Sequence, residues 1–396
     1  MALLRYANLS YFSDGIWEED LDQNREPILI DPQWENTSLG KSLSDFPPET
    51  KSRKNFFWLA TSGSTGIPKL VEKHRDQLER ELETWKRQTE DSFWDFKEDT
   101  DWIVTVPLCH LYGLIWGRFL PKQLHKTIHY TRDVLEIQNI GSKNYRKTVL
   151  ISNPDFIGNL IQAGTSLPFK IISSGSKFPV HLSRILRDEG KVELREIYGS
   201  TETGAIGFRN PLWKARFLIL PEVKTKTISK EDGEILSIRS PFLSETAKDW
   251  KGNRETNQGE WENHSLVGQD GFFSTNDWGD LSDLGWNYIG RTDRITKVKG
   301  KRISLDLTES LLSSTNFTKE IAVDSVEAEK EENILVCMIV LKKEKTLADF
   351  MEIINQELPK SFLPHLILEQ NQIPKLPNGK TDYIQVRSIL KNYNTT

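Results

Sequence analysis

The chain has 396 residues, 37% of them hydrophobic and 28% charged, enough apolar material for a sizeable core in more than one domain. Its 52 lysines and arginines stand against 57 aspartates and glutamates, a net charge of -5, which carries no nucleic-acid footprint. No run approaches the roughly 18 apolar residues of a membrane span, residues 1–10 lack a signal-peptide pattern, and no Cys/His cluster has zinc spacing, so we expect a cytoplasmic protein whose two cysteines, Cys109 and Cys337, are buried thiols.

Residues 1–50, rich in Asp, Glu, Pro and Trp, carry little periodic signal. From Phe56 to about Gly204, short apolar runs alternate with helix-like segments. The runs at 56–60, 102–106, 148–151 and 169–172 read as buried strands, and 192–197 alternates like a half-buried one. Between them Leu78, Leu82 and Trp85 form a helical stripe, as do Leu182, Ile185 and Leu186. Such alternation predicts a mainly parallel sheet with helices packed on it. A strand-rich stretch follows at 216–289, with antiparallel runs at 217–220, 233–238 and 286–289. Charge density jumps near Arg291 to Arg294, and beyond it a strand at 334–341 and helices at 347–358 and 383–390 make an α+β module. The expected fold is α/β: a large domain over 1–290, with layered sheets and helices and a strand-rich portion, and a small α+β domain over 291–396.

Two segments of this plan are shaped for polyphosphate. The first is Thr61-Ser62-Gly63-Ser64-Thr65-Gly66-Ile67-Pro68-Lys69, where glycines admit backbone N–H groups, hydroxyls donate and a lysine supplies charge. It is not a Walker A loop, because Pro68 precedes Lys69 and no Gly-Lys-Ser/Thr follows. The second, Tyr198-Gly199-Ser200-Thr201-Glu202, ends a strand where open α/β sheets bind ligands. A tyrosine there can stack on a base, a threonine can reach a phosphate and a glutamate can hold a hard divalent cation. Ser173-Ser174-Gly175-Ser176 ends another strand and lines the same crevice in this reading. Ser174-x-x-Lys177 lacks the Ser-Asp-Asn and Lys-Thr-Gly partners of a serine acyltransferase site.

Taken in order, these motifs resemble those of the AMP-forming adenylating superfamily: acyl- and aryl-CoA synthetases, peptide-synthetase adenylation domains and luciferases. Thr61 to Lys69 match the family's phosphate loop in full, and Tyr198, Gly199, Thr201 and Glu202 match its Tyr-Gly-x-Thr-Glu motif. Pro107-Leu108-Cys109-His110-Leu111-Tyr112-Gly113 looks like the segment bordering the acyl pocket, and Gly233-Glu234-Ile235 like the Gly-Glu-Leu strand motif. Gly290-Arg291-Thr292-Asp293, with Lys297 and Gly300-Lys301-Arg302-Ile303, is similar to the hinge and the loop after it. Pro374-Lys375-Leu376-Pro377-Asn378-Gly379-Lys380 is similar to the motif that ends in the catalytic lysine.

The resemblance implies a magnesium- and ATP-dependent ligase that joins a small carboxylic acid to CoA or to the phosphopantetheine of an acyl carrier protein. Lys380 would contact both the acid and the α-phosphate, residues 61–69 the leaving pyrophosphate, and Thr201 and Glu202 phosphate and metal. Tyr198, with Gly199, Ser174 and Gly175 around it, would hold the adenine, and His110 would border the acid. Asp293 would be the hinge, Gly300 the loop on the thiol side, and Arg291 a further nucleotide contact. Tyr112 and Trp116 hint at an apolar or aromatic acid. The basic surface from Arg291 to Arg302 would suit an anionic thiol carrier. The twelve tryptophans read as packing residues.

Several positions depart from the pattern. The ribose-holding Thr-Gly-Asp stands here as Thr275-Asn276-Asp277, and Trp278-Gly279-Asp280-Leu281 is a second candidate; Asp277 is favoured because Asp280 would need a larger deletion before Gly290. The acidic run after the Arg-Ile pair reads Leu307-Thr308-Glu309, keeping only its last acid. The phosphate loop begins at residue 61, after a shorter leader than typical members carry, so a reduced first subdomain is expected. The short leader and the Gly-Lys-Arg-Ile-Ser-Leu variant of Gly300 to Leu305 resemble those of the compact ligases of aryl-polyene and related fatty-acid-like pathways. The rival readings are an o-succinylbenzoate-CoA-type ligase and a non-catalytic nucleotide-binding sensor or scaffold. The retained Glu202 and Lys380 speak against the second. No residue specifies an oligomeric state.

Overall fold

The apolar run at 56–60 forms the strand Phe56–Thr61, buried at every position but its last. In the computed structural model, which describes residues 3–6, 27–31, 56–61, 69–88, 92–96, 100–143, 145–213, 216–230, 233–253, 258–298, 301–315, 317–327, 333–375 and 381–394, the chain divides into two compact units. The first comprises Met1–Phe178, Leu186–Thr225 and Ile238–Phe273; the second comprises Pro179–Ile185, Lys226–Ser237 and Ser274–Thr396.

The first unit carries two sheets. One orders its strands Leu3–Tyr6, Pro27–Ile30, Phe56–Thr61, Lys69–His74, Thr246–Asn253 and Gln258–Ser265. Its core joins Ile28, Ile30, Phe56, Trp58, Ala60 and Leu70. The other runs Leu218–Ile219, Gly204–Arg209, Glu193–Ser200, Lys170–Ser173, Thr148–Ser152, Asp101–Val104, Thr127–Tyr130. Its last five strands pair in parallel, as expected, and its first two are antiparallel. Every residue of Thr148–Ser152 is buried, as a sheet covered on both faces requires. The anticipated stripe Leu78, Leu82 and Trp85 is the inward face of the helix Arg75–Lys86. The helix Pro154–Gln162 starts where Asn153 accepts the Phe156 N–H and proline occupies the first turn.

Three differences from the sequence reading have local causes. The run at 217–220 is a strand only over Leu218–Ile219, with Phe217 in a single bridge and the Leu220 N–H donating to the Ile206 carbonyl at 3.0 Å. Lys69–His74, not anticipated as a strand, pairs antiparallel with Phe56–Thr61, so residues 62–68 join the two strands of a hairpin. Trp116 is not a pocket wall: it is 1% exposed, its carbonyl accepts the Trp102 indole N–H, and its ring packs on Trp85 and Trp94.

In the second unit an antiparallel sheet orders Lys224–Lys230, Gly233–Arg239, Phe273–Ser282 and Gly285–Arg291. A hairpin, Ile295–Val298 with Lys301–Ser304, follows. A three-stranded sheet of Thr318–Glu327, Asn333–Leu341 and Leu366–Glu369 comes next. Along Asn333–Leu341 the side chains alternate between two cores. Leu335, Cys337 and Ile339 pack with Leu305, Leu312 and Phe350; Val336, Met338 and Val340 pack with Val386 and Leu390 of the helix Tyr383–Asn394. Both cysteines are buried and free, and burial pushes the pKa of each thiol up. No helix among the described residues is long and apolar enough to cross a membrane.

Candidate functional site

The hairpin register sets Thr61 directly opposite Lys69. Ser62, Gly63, Ser64, Thr65 and Gly66 lie outside the described residues. From the base of the hairpin the Lys69 ammonium reaches Glu202 Oε1 at 2.9 Å, joining two motifs 133 residues apart. Burial alone would raise the Glu202 pKa, but the Lys69 charge and its hydrogen bond outweigh it and hold the carboxyl below its ordinary value. Glu202 is therefore ionised at neutral pH and already balanced by one cation.

Glu202 and the half-buried Thr201 sit in the turn between Glu193–Ser200 and Gly204–Arg209. The Ser200 N–H donates to Thr203 Oγ1 at 2.9 Å and the Thr203 N–H returns to Ser200 Oγ at 3.2 Å, so the turn is closed on itself. Gly199 is required by close approach, since a Cβ there would stand 2.2 Å from the Gly204 carbonyl oxygen. The Tyr198 ring lies 5.0 Å from that of Phe217 at 35°. Arg209, paired with Glu196 at 2.6 Å, covers Phe217 from 4.5 Å. Ser174 spends its hydroxyl on the Ile197 carbonyl at 2.9 Å, tying its strand end to the one that carries Tyr198. Gly175 follows at φ +95°.

His110 precedes a helical segment with a π-helical turn at Ile115–Phe119, a feature often found beside functional sites. Its Nε2 lies 3.6 Å from a carboxylate oxygen of Asp31, which is 2% exposed and which sequence reasoning missed because it lies in the poorly periodic leading segment. The Tyr112 hydroxyl donates to the carbonyls of Ile172 at 2.7 Å and Ser152 at 3.2 Å, so it braces two strand ends.

Within the second unit, Asp277 and Arg291 are register partners on adjacent strands, with Nη1 to Oδ1 at 3.8 Å. Arg291 also binds Asp293 at 3.0 Å through Nε. The Asp277 N–H donates to Thr275 Oγ1 at 3.1 Å, and that hydroxyl donates to the Leu236 carbonyl at 2.9 Å. Asp280 instead receives the Asn287 amide at 2.7 Å. The departure from Thr-Gly-Asp has a backbone explanation: Asn276 has φ +58°, in the left-handed region where Asn is the most tolerated substitute for Gly. Asn276→Ala should therefore cost about 1 kcal/mol of stability, whereas Asn276→Gly should be neutral or better, as thermal denaturation would show. Gly300 and Lys380 lie outside the described residues.

Besides Asp31, three further polar residues escaped the sequence reading: Lys73, Gln77 and Glu81, all buried. The available signal was the i, i+4 placement of Gln77 and Glu81 along the edge of the Leu78, Leu82, Trp85 stripe.

Residues 13–237, more than half of the chain, match the family of AMP-binding enzymes. Bacitracin synthase 1 of Bacillus licheniformis is 25% identical over 395 residues, covering 91% of this chain and 7% of that protein. The 4-coumarate--CoA ligase-like 6 protein of Arabidopsis thaliana is 25% identical over 360 residues, covering 84% of this chain and 62% of that one. The chain thus spans less than two thirds of either relative. Among solved structures, the o-succinylbenzoate CoA synthetase MenE of Bacillus subtilis, in complex with the acyl-adenylate intermediate OSB-AMP, superimposes with a TM-score of 0.77 at 16% identity, over 98% of this chain and 87% of that one. By its family match and its ordered motifs, the chain belongs to the AMP-binding enzymes of the AMP-forming adenylating superfamily.

Proposed function

We propose that the protein is an AMP-forming acid:thiol ligase that activates a carboxylic acid with ATP and passes the acyl group to CoA or to a carrier-protein phosphopantetheine. The observation that carries the reading is the Lys69–Glu202 contact, which brings the end of the phosphate loop onto the Tyr-Gly-x-Thr-Glu turn. In the first half-reaction a carboxylate oxygen of the acid attacks the α-phosphorus, and the bond to pyrophosphate breaks. Two anions approach each other, so charge neutralisation dominates the barrier. Lys69 and the loop hydroxyls take the leaving pyrophosphate, and Lys380 bridges the acid and the α-phosphate. Tyr198 stacks on the base, while Asp277 and Arg291 hold the ribose. In the second half-reaction a thiol adds to the acyl carbon and AMP leaves.

Glu202 fits a magnesium ligand: it is a hard oxygen donor, ionised, and paired with a lysine that a phosphate can draw away. The ion, when bound, neutralises phosphate charge. Glu202→Gln should raise the magnesium concentration for half-maximal rate by about ten- to a hundredfold, the span of one charge-assisted contact, with folding retained. Loss of folding would make Glu202 structural.

The test of the reading is acid-dependent pyrophosphate release across aliphatic, aryl and dicarboxylic acids, o-succinylbenzoate among them, with CoA or a phosphopantetheinylated carrier added. Release with at least one class, and thioester formation with one thiol, is the expected result. ATP binding without release for any acid would favour a nucleotide-binding sensor.

A further inference from the structure

Lys73 and Glu81 are buried charged groups of the first unit that the reaction above leaves unused, at 1% and 4% exposure. Lys73 Nζ donates to the Phe242 carbonyl at 2.9 Å, and one helical turn before Glu81 the Gln77 amide donates to the Leu243 carbonyl at 2.7 Å. The next residue, Ser244, donates its N–H to the Glu202 carbonyl at 2.8 Å. From the other side Glu81 Oε1 accepts the Ala205 N–H at 3.2 Å. The turn bearing Thr201 and Glu202 is thus held from both ends, by Ser244 at Glu202 and by Glu81 just past Gly204. Gly204 closes the bracket: a Cβ there would stand 2.6 Å from Glu81 Oε2 and 2.9 Å from the Phe242 ring.

We infer that Lys73, Gln77 and Glu81 are positioning residues that set the height and direction of the Thr201–Glu202 turn relative to Lys69, acting through Phe242–Ser244 and Ala205. The inference rests on the reading that this turn faces the ATP phosphates and magnesium. Lys69 and Lys73 belong to one strand, so the residue that touches Glu202 and the residue that anchors its support are fixed to the same rigid element. Packing alone does not explain the choice of side chains, because exchanging buried opposite charges for apolar residues of similar volume is often neutral or stabilising. Charge adds to geometry. Burial lowers the pKa of the Lys73 ammonium to about 8 against the pull of the Glu81 and Glu202 carboxylates, so the ammonium senses both.

The test uses the double variant Lys73→Met, Glu81→Leu, which removes both buried charges together, and Gln77→Met, which keeps both charges. Magnesium-ATP affinity is read by calorimetry without any acid, beside thermal midpoints. The double variant should fold, with a midpoint lowered by the two backbone bonds it gives up, yet bind magnesium-ATP about tenfold more weakly. Gln77→Met should weaken binding a few-fold, and Lys73→Arg, which keeps charge and donor, should recover most of the wild-type affinity. Wild-type affinity in a folded double variant overturns the inference; if the double variant does not fold, wild-type affinity in Gln77→Met overturns it. Because binding is measured without acid, a failure of acid-dependent pyrophosphate release in the wild type counts against the ligase reading and leaves this readout intact.

Discussion

Lys380→Ala should lower acid-dependent ATP–pyrophosphate exchange by roughly two or more orders of magnitude, the loss expected when a group that stabilises developing charge is removed. The same variant should still transfer a chemically supplied acyl-adenylate to the thiol. The residues that flank 376–380 are well anchored. Lys375 and Thr381 form a β-bridge, the Asp382 N–H donates to the Pro374 carbonyl at 2.9 Å, and the Tyr383 hydroxyl donates to the Glu309 carboxylate at 2.9 Å. Arg294, next to Asp293, lies 3.6 Å over the Tyr383 ring and binds Asp306 at 2.6 Å and Glu309 at 3.2 Å. The described residues on either side of 376–380 are therefore tied, through Tyr383 and Glu309, to Arg294, the residue beside the proposed hinge. A bulky residue at Gly300 is expected to do the reverse of Lys380→Ala, sparing exchange and blocking thiol attack. Equal damage to both half-reactions in Lys380→Ala, or intact exchange, would remove the lysine from adenylation and end the two-state scheme.

The same network shows why Glu309 survives in a stretch that otherwise departs from the family pattern. It accepts the Val323 N–H at 2.9 Å as well as the Arg294 and Tyr383 contacts, and no apolar residue could replace those bonds. Periodicity made the regular parts legible: the strands at 148–151 and 334–341 and the stripe of Leu78, Leu82 and Trp85 each bury the face their spacing predicts. The return strand Lys69–His74 was hidden because Glu72 and Lys73, both buried, break the apolar alternation, and what satisfies Lys73 is a carbonyl 169 residues away. Trp116 misled for the opposite reason. An aromatic residue beside a pocket motif reads as a wall, but its ring fills an aromatic cluster with Trp85 and Trp94, and composition cannot say which way a ring faces. The Asn276 position lay between these cases: its identity departs from the motif, and only the backbone angle shows that the departure preserves the turn.

Asp277→Ala should weaken ATP and AMP binding by about a hundredfold, whereas Asp280→Ala should change it by less than about threefold. A carboxylate that accepts from both ribose hydroxyls makes two charge-assisted bonds of roughly 1.5 kcal/mol or more each, and about 3 kcal/mol corresponds to two decades in affinity. The backbone around Asp277 would hold such a group in place. Asn276 turns the chain at positive φ, Thr275 Oγ1 holds the Asp277 N–H, and Thr275 is itself bonded to Leu236 in the neighbouring strand. Arg291, its register partner, sets a cation beside the carboxylate that can also serve the nucleotide. Asp280 is used differently, because its Oδ2 receives the Asn287 amide in a cross-strand bond that pins the hairpin, so its removal should appear in thermal stability more than in nucleotide affinity. Calorimetric titration of AMP into each variant, with thermal midpoints alongside, separates the two roles. A larger affinity loss for Asp280→Ala would move the ribose contact three residues along the strand and make Asp277 the structural partner of Arg291.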